Sequence, residues 1–187
     1  MNDPHPAANV FCDSSLIARA TLVCVEAHTG QYRKGGKDPY ALHPLRVAES
    51  LRCCCPDPHV IAAALLHDVR EDTEHSIDDF PPRVHELVDL LTRRKGRNRV
   101  GAADETKTAS LDRLAASGDG EAILIKLADR CDNLREGMAS LGSDWLHSYL
   151  PTSRRIAAMA IDHGWGDNAL TVTLAALIAE AEHRIRN

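Results

Sequence analysis

VIAAALLHDVREDT, residues Val60–Thr73, opens with seven apolar side chains in a row, Val60 to Leu66. It runs straight into His67-Asp68 and then Glu71-Asp72. A helix that is apolar all round is buried rather than amphipathic. The stretch therefore predicts a helix through a core, whose last turn carries an imidazole and three carboxylates out of it. Carboxylates at a helix C-terminus face the negative end of its dipole, so a cation is expected beside them. On one helix His67 and Glu71 share a face, as do Asp68 and Asp72. Two adjacent ligand types with two acids one turn later suit a divalent cation flanked by acid–base groups. A solvated acidic rim is the alternative, and residues elsewhere in the chain must decide.

Working outward, 187 residues suffice for one domain with a sizeable core. Aromatic residues make up only 4% of the chain, so Leu, Ile, Val and Ala must fill that core, a bias toward helix. The fold expected is all-α. A net charge of −5, from 22 basic and 27 acidic residues, argues against nucleic acid as a partner. No stretch approaches the roughly 18–20 apolar residues of a membrane span. The start, MNDPHPAANV, lacks the basic and apolar regions of a signal peptide. Cysteines at 12, 24, 53, 54, 55 and 131 form no C-x-x-C pair, which argues against a zinc knuckle. Reduced thiols in a cytoplasmic protein are expected, with Cys53–Cys55 filling a helix end.

Along the chain, residues 1–12 read as a loose tail and 13–187 as one domain. A first helix is predicted from Ser14 to His28, capped by Asp13 or Ser14 and ended by Gly30, with His28 against the dipole. The loop GQYRKGGKDPYALHP, 30–44, centres on Arg33 and Lys34. It is either a solvated basic loop or one whose guanidinium stacks on a base or forks a phosphate. His43 precedes Pro44, which suits the start of another helix. Asp57-Pro58 supplies a cap and a first position for the central helix. Ser76 with Asp79 resembles a capping box, and after Pro81-Pro82 a short helix turns Val84, Leu87, Val88 and Leu91 inward. Arg93–Arg99, RRKGRNR, is either a solvated loop or a lid facing an anion.

A helix over Asp104–Ser117 is closed by Gly118. In the next segment, EAILIKLADRCDNLREG, a second carboxylate, Asp129, leaves a buried helix, with Asn133 one turn on. Trp145–Leu150 is expected to stop at Pro151, Thr152–His163 at Gly164, and a last helix, Asn168–Ile185, to be capped by Asp167.

Four blocks then stand in order: GQYRK at 30–34 with PY at 39–40, HPLRVA at 43–48, ALLHDVREDT at 64–73, and LIKLADR at 124–130 with NLR at 133–135. With them the chain resembles the HD-domain hydrolases of the RelA/SpoT homologue family, most closely the small, hydrolase-only members. The resemblance implies a single helical HD-domain bundle. It makes His43, His67, Asp68 and Asp129 the ligands of one metal ion, Mn²⁺, a set that also suits manganese by ligand hardness. It assigns Glu71 and Asp72 to the hydrolytic step and Arg33, Lys34 and Asn133 to the nucleotide, with Arg33 against guanine. The implied reaction removes the 3′-diphosphate of guanosine tetra- or pentaphosphate, giving GDP or GTP and pyrophosphate. No synthetase domain is expected in a chain this short. Another nucleotide, such as NADPH through its 2′-phosphate, or a silent nucleotide-binding module are the competing readings.

The chain departs from the family pattern in three places. Arg70 replaces a residue that is often apolar, and is expected to pair with Glu74 or approach the phosphates. Asp132 and Glu136 stand where the family often has His or an aromatic residue, and Thr; extra acids there are expected to weaken polyanion binding.

Overall fold

The computed structural model describes residues 6–34, 38–95 and 103–186. Its central element is α3 (Pro58–Leu66), where all of Val60–Leu66 is buried. Asp57 caps it as expected, its carboxylate accepting from the His59 amide at 2.7 Å, with Pro58 in the first turn. Burial of Val60, Ile61, Leu65 and Leu66 contributes about 1.5–3 kcal/mol each. Around α3 pack α1 (Pro6–Ala27), α2 (Leu42–Leu51), α5 (Pro82–Leu91) and α7 (Gly120–Ser140). Helix α7 also carries α8 (Ser143–Asp162) and α9 (Ala169–Arg186), while α6 (Lys107–Ser117) lies across α5, α7 and α8. A single turn, α4 (Val69–Asp72), follows α3.

The described residues are thus all-α, with one isolated bridge between Tyr32 and Pro39. That bridge pinches the basic loop after Gly30 (φ 78°), with the Tyr40 amide donating to the Gln31 carbonyl at 2.9 Å. No described helix is long and apolar enough to cross a membrane.

Several boundaries differ from the sequence expectation. Helix α1 begins at Pro6, so residues 6–12 are helix rather than tail. Proline at a first helical position followed by two alanines starts a helix well, and Asp13 lies inside it. The central helix stops at Leu66, which sets Glu71 and Asp72 on α4. Ser76 begins a turn, its hydroxyl accepting from the Asp78 amide at 3.0 Å, and the helix starts only at Pro82. Helix α6 is capped by Thr106, which accepts from the Ala109 amide, and starts three residues after Asp104.

Pro151 does not end a helix; α8 runs through it. Leu146 and Leu150 before it and Ser153 and Ile156 after it are all buried, while Pro151 and His147 are exposed. Water can therefore serve the carbonyl that the missing N–H leaves open. Asn168, not Asp167, caps α9, its side chain accepting from the Leu170 amide at 2.9 Å. Cys54 and Cys55 pack against the core as a helix-end filling should, but Cys53 points to solvent and fills nothing. Arg97 and Arg99 of the basic run lie outside the described residues.

Candidate metal centre

The halt of α3 after Leu66 aims His67. Its Nδ1 lies 2.7 Å from the Ala64 carbonyl oxygen, which can only accept, so Nδ1 carries the proton and Nε2 is a bare lone pair. His43, in the first turn of α2, is fixed the same way by the Asp132 carboxylate, 2.7 Å from its Nδ1. The two Nε2 atoms converge on two carboxylates. His43 Nε2 lies 3.2 Å from Asp129 Oδ1 and 3.7 Å from Asp68 Oδ2. His67 Nε2 lies 3.3 Å from Asp68 Oδ2 and 3.9 Å from Asp129 Oδ1. Ligand atoms of His43, His67 and Asp129 all fall within 4.8 Å of one another.

His67 Nε2 is buried and has no hydrogen-bond partner. Such a group costs about 1–3 kcal/mol unless something fills it. A divalent cation fits that place: two imidazole nitrogens and two carboxylates, both imidazoles held in the ligating tautomer by outer acceptors. Burial pushes both carboxyls up, but neighbours outweigh it. His67 and His43 hold Asp68 below the usual carboxylate range, and Lys126 holds Asp129 well below it.

The acids beyond the cluster are gripped from the basic segment. Glu71 accepts from the Arg93 amide (3.0 Å) and guanidinium (3.1 Å), and Lys95 Nζ lies 3.2 Å from Asp72 Oδ1. Arg93 and Lys95 are cations of the kind the sequence required and both line the outer cleft of the site, while the Arg94 side chain is exposed. Tyr40 donates to Asp68 at 2.8 Å and its hydroxyl lies 3.4 Å from Asp72, so Asp68 and Asp72 do share a face.

A cavity of about 260 Å³ lies beside the cluster, lined by Glu71, Lys107, Lys126 and Arg130 among others. It adjoins an outer cleft of about 650 Å³, lined by Arg33, Lys34, Trp145 and Tyr149. Tyr40, Asp72, Arg93 and Asn133 belong to both, so the two form one passage from the cluster to the surface. Two nitrogens of Arg33 are engaged: Nε lies 3.0 Å from both Glu136 oxygens and Nη2 donates to Asn133. Its carbon sits 5.1 Å from the Tyr40 ring centroid, so the guanidinium lies near one aromatic ring and lines the outer cleft.

The structure brings His43, His67, Asp68, Asp129, Glu71, Asp72, Arg33, Lys34 and Asn133 to this one passage. Three expectations are corrected. Arg70 turns to α5, pairing with Asp89 and donating to His85 Nδ1. Asp132 and Glu136 are not loose acids near a polyanion, because Arg46 and Arg33 neutralise them. His28 is buried, its ring 4.7 Å from that of Tyr40 and Nδ1 bonded to Gln31, and so braces the site wall instead of answering the α1 dipole.

Sequence reasoning missed Lys107, Lys126, Arg130, Trp145 and Tyr149. Lys126 and Arg130 lie within a turn or so of Asp129, and Lys126 Nζ lies 2.8 Å from its Oδ2, so helical spacing could have found Lys126. Lys107 and Tyr149 arrive on other helices, with no local signal.

Fold and site together define an all-helical domain built around a buried His/Asp cluster that fits a divalent cation. The chain belongs to the HD-domain family, whose model matches residues 20–144. It is 33% identical over 181 residues to a GTP pyrophosphokinase of Streptomyces antibioticus, covering 91% of this chain and 21% of that protein. It is 31% identical over 182 residues to a guanosine-3′,5′-bis(diphosphate) 3′-pyrophosphohydrolase of Aquifex aeolicus, covering 91% and 25%. The chain thus spans about a quarter or less of these curated relatives. A solved structure described as a metazoan orthologue of SpoT that hydrolyses ppGpp superposes with a TM-score of 0.67 at 27% identity, over 96% of this chain and 98% of that one.

Proposed function

We propose that this domain is a metal-dependent guanosine-3′,5′-bis(diphosphate) 3′-pyrophosphohydrolase working with Mn²⁺. The observation that carries the reading is the end-to-end likeness to a solved ppGpp hydrolase, 96% of one chain on 98% of the other. A passage with a His/Asp cluster at one end and a guanidinium at the other supports it.

His43, His67, Asp68 and Asp129 would hold the cation, which when bound supplies Lewis-acid polarisation of a phosphoryl oxygen and an acidified water. Arg33 presents its face to the guanine, braced by Tyr40 beneath and by Glu136 and Asn133 at its edge. Lys107, Lys126 and Arg130 line the inner cavity and offset phosphate charge there. Glu71, fixed at both oxygens by Arg93, is oriented to take a proton from the attacking water, with Asp72 beside it. Water adds to the 3′ phosphorus, the P–O3′ bond breaks, pyrophosphate leaves with the water oxygen, and O3′ takes a proton.

The test is pyrophosphate release from guanosine tetraphosphate with Mn²⁺, with a chelator, and with Asp68→Ala. Turnover in the first alone is expected. Asp68→Ala should fall more than about a hundredfold, since even outer partners of metal ligands are worth about 10–100-fold. Metal-dependent phosphate release from NADPH alone would keep the chemistry and replace the substrate. Nucleotide binding without any turnover would reject the enzyme.

A further inference from the structure

His43 and Asp129, two of the ligating residues, are joined by a closed circuit of side chains that runs out to the cleft mouth and back. His43 Nδ1 meets Asp132 Oδ2 at 2.7 Å. Arg46 forks the same carboxylate, Nε to Oδ1 at 2.7 Å and Nη2 to Oδ2 at 2.9 Å. Arg46 Nη2 also reaches Glu136 Oε2 at 2.8 Å, and Glu136 holds Arg33 at 3.0 Å. Arg33 donates to Asn133, Asn133 donates to Asp129, and Asp129 Oδ1 returns to His43 Nε2 at 3.2 Å.

We infer that Asp132 is the positioning residue of the metal centre, setting the tautomer and ring plane of His43, with Arg46 as its anchor. The inference rests on the metal-centre reading of the site. Asp132 is 5% exposed and sits three residues after Asp129 on α7, so one helix face supplies both a ligand and the support of a ligand on α2. Among the described residues no other acceptor is bonded to His43 Nδ1. Without Asp132 the ring could flip or take the other tautomer, and Nε2 would leave the cluster or carry a proton.

The two imidazoles are also unequal. His67 Nδ1 donates to a neutral carbonyl, whereas His43 Nδ1 donates to a carboxylate, and a carboxylate partner raises the basicity of a metal-bound imidazole. His43 is the stronger donor of the pair. Asp132 is an acid buried beside the cluster. Arg46 explains how an acid is accommodated there: its side chain is 40% exposed and brings charge to Asp132 from the solvent side.

The experiment is Mn²⁺ affinity of the full chain without nucleotide, read from the resonance of free Mn²⁺, for the native protein, Asp132→Asn, Asp132→Ala and Arg46→Met. Far-ultraviolet dichroism in chelator confirms that each variant is folded. Asp132→Ala should weaken binding about 10–100-fold. Asp132→Asn keeps an acceptor for Nδ1–H and should restore part of that loss. Arg46→Met should shift affinity by a smaller factor in the same direction. The visible spectrum of the Co²⁺ form should change in Asp132→Ala, which a stability effect alone does not produce.

If Asp132→Ala does not fold, the asparagine and arginine variants still decide. Folded variants that all bind within twofold of the native protein overturn the inference, as does a native protein that binds no Mn²⁺. Asp132-dependent affinity in a protein that hydrolyses no guanosine nucleotide rejects the proposed substrate and keeps the positioning role. Hydrolysis with affinity independent of Asp132 does the reverse.

Discussion

At Gly137, a Cβ would stand 2.1 Å from Cζ3 of Trp145, so the absence of one methyl lets the indole lie on α7. There it stacks on Tyr149 with ring centroids 4.2 Å apart and walls the outer cleft. Gly137→Ala should drive the indole into that cleft. We expect KM for the nucleotide to rise about tenfold and stability to fall by roughly 1–3 kcal/mol, the usual cost of overpacking. An unchanged KM in the folded variant would show that Trp145 does not border the bound base. Arg93 acts at the same scale but on the rate. Its guanidinium and amide both hold Glu71, and only the first is lost in Arg93→Met. A general base is worth about 10²–10⁴-fold, so partial loosening should lower kcat roughly tenfold while Mn²⁺ affinity stays the same. Equal loss in both would place Arg93 in support of the metal centre instead.

At the scale of the element, Asp119 does two jobs. It caps α7, accepting from the Ala122 amide at 3.0 Å, and it takes a fork from Arg83 of α5 at 2.7 and 3.0 Å. Burial raises its carboxyl, but Arg83 and the cap amide outweigh that and hold it below the usual range. A depressed carboxyl adds stability above its unfolded pKa of about 3.9, lost as pH falls through the folded value. Asp119→Ala should therefore cost about 1 kcal/mol at pH 7, and the gap to the native protein should shrink below about pH 4. Urea unfolding at both ends reads this, and a gap constant with pH would assign the loss to packing alone. Asp119 also marks the limit of what was legible. The Asp57 cap before its apolar run and the Gly118 stop were readable because their physics is local, whereas the cap at Asp119 was not singled out. Pro151 misled because its effect depends on which face of α8 looks at water, and Ser76 because a hydroxyl can serve a turn as well as a cap. The stop after Leu66 was illegible for a related reason. Nothing in Leu66-His67-Asp68 disfavours helix, and His67 keeps helical dihedrals (φ −60°, ψ −30°), so no local signal marks the stop.

For the whole molecule, the centre matters as a junction. His43 comes from α2, His67 and Asp68 from the end of α3, and Asp129 from α7, so filling it ties three packed helices together. His67, Asp68 and Asp129 were legible as polar ends of apolar runs, whereas His43 joined them only through the resemblance carried by its HPLRVA block. Lys107, Trp145 and Tyr149 were not legible, since they meet the site only when α6 and α8 pack on α7. A site assembled this way is linked to global stability. A ligand bound by the folded chain alone at about 100 times its Kd stabilises by about 2.7 kcal/mol, and each kcal/mol is worth roughly 2–4 °C at this size. Saturating Mn²⁺ should therefore raise Tm by roughly 5–10 °C over the chelated protein. His67→Ala removes the one buried, unpartnered nitrogen of the cluster. In chelator that variant should lose stability through the cavity it leaves, and on adding Mn²⁺ its Tm should scarcely move. Calorimetry of both proteins in both buffers closes the square. A full Mn²⁺ shift in His67→Ala would mean that the cation is held elsewhere, because a site on these three helices cannot lose that nitrogen and keep its grip.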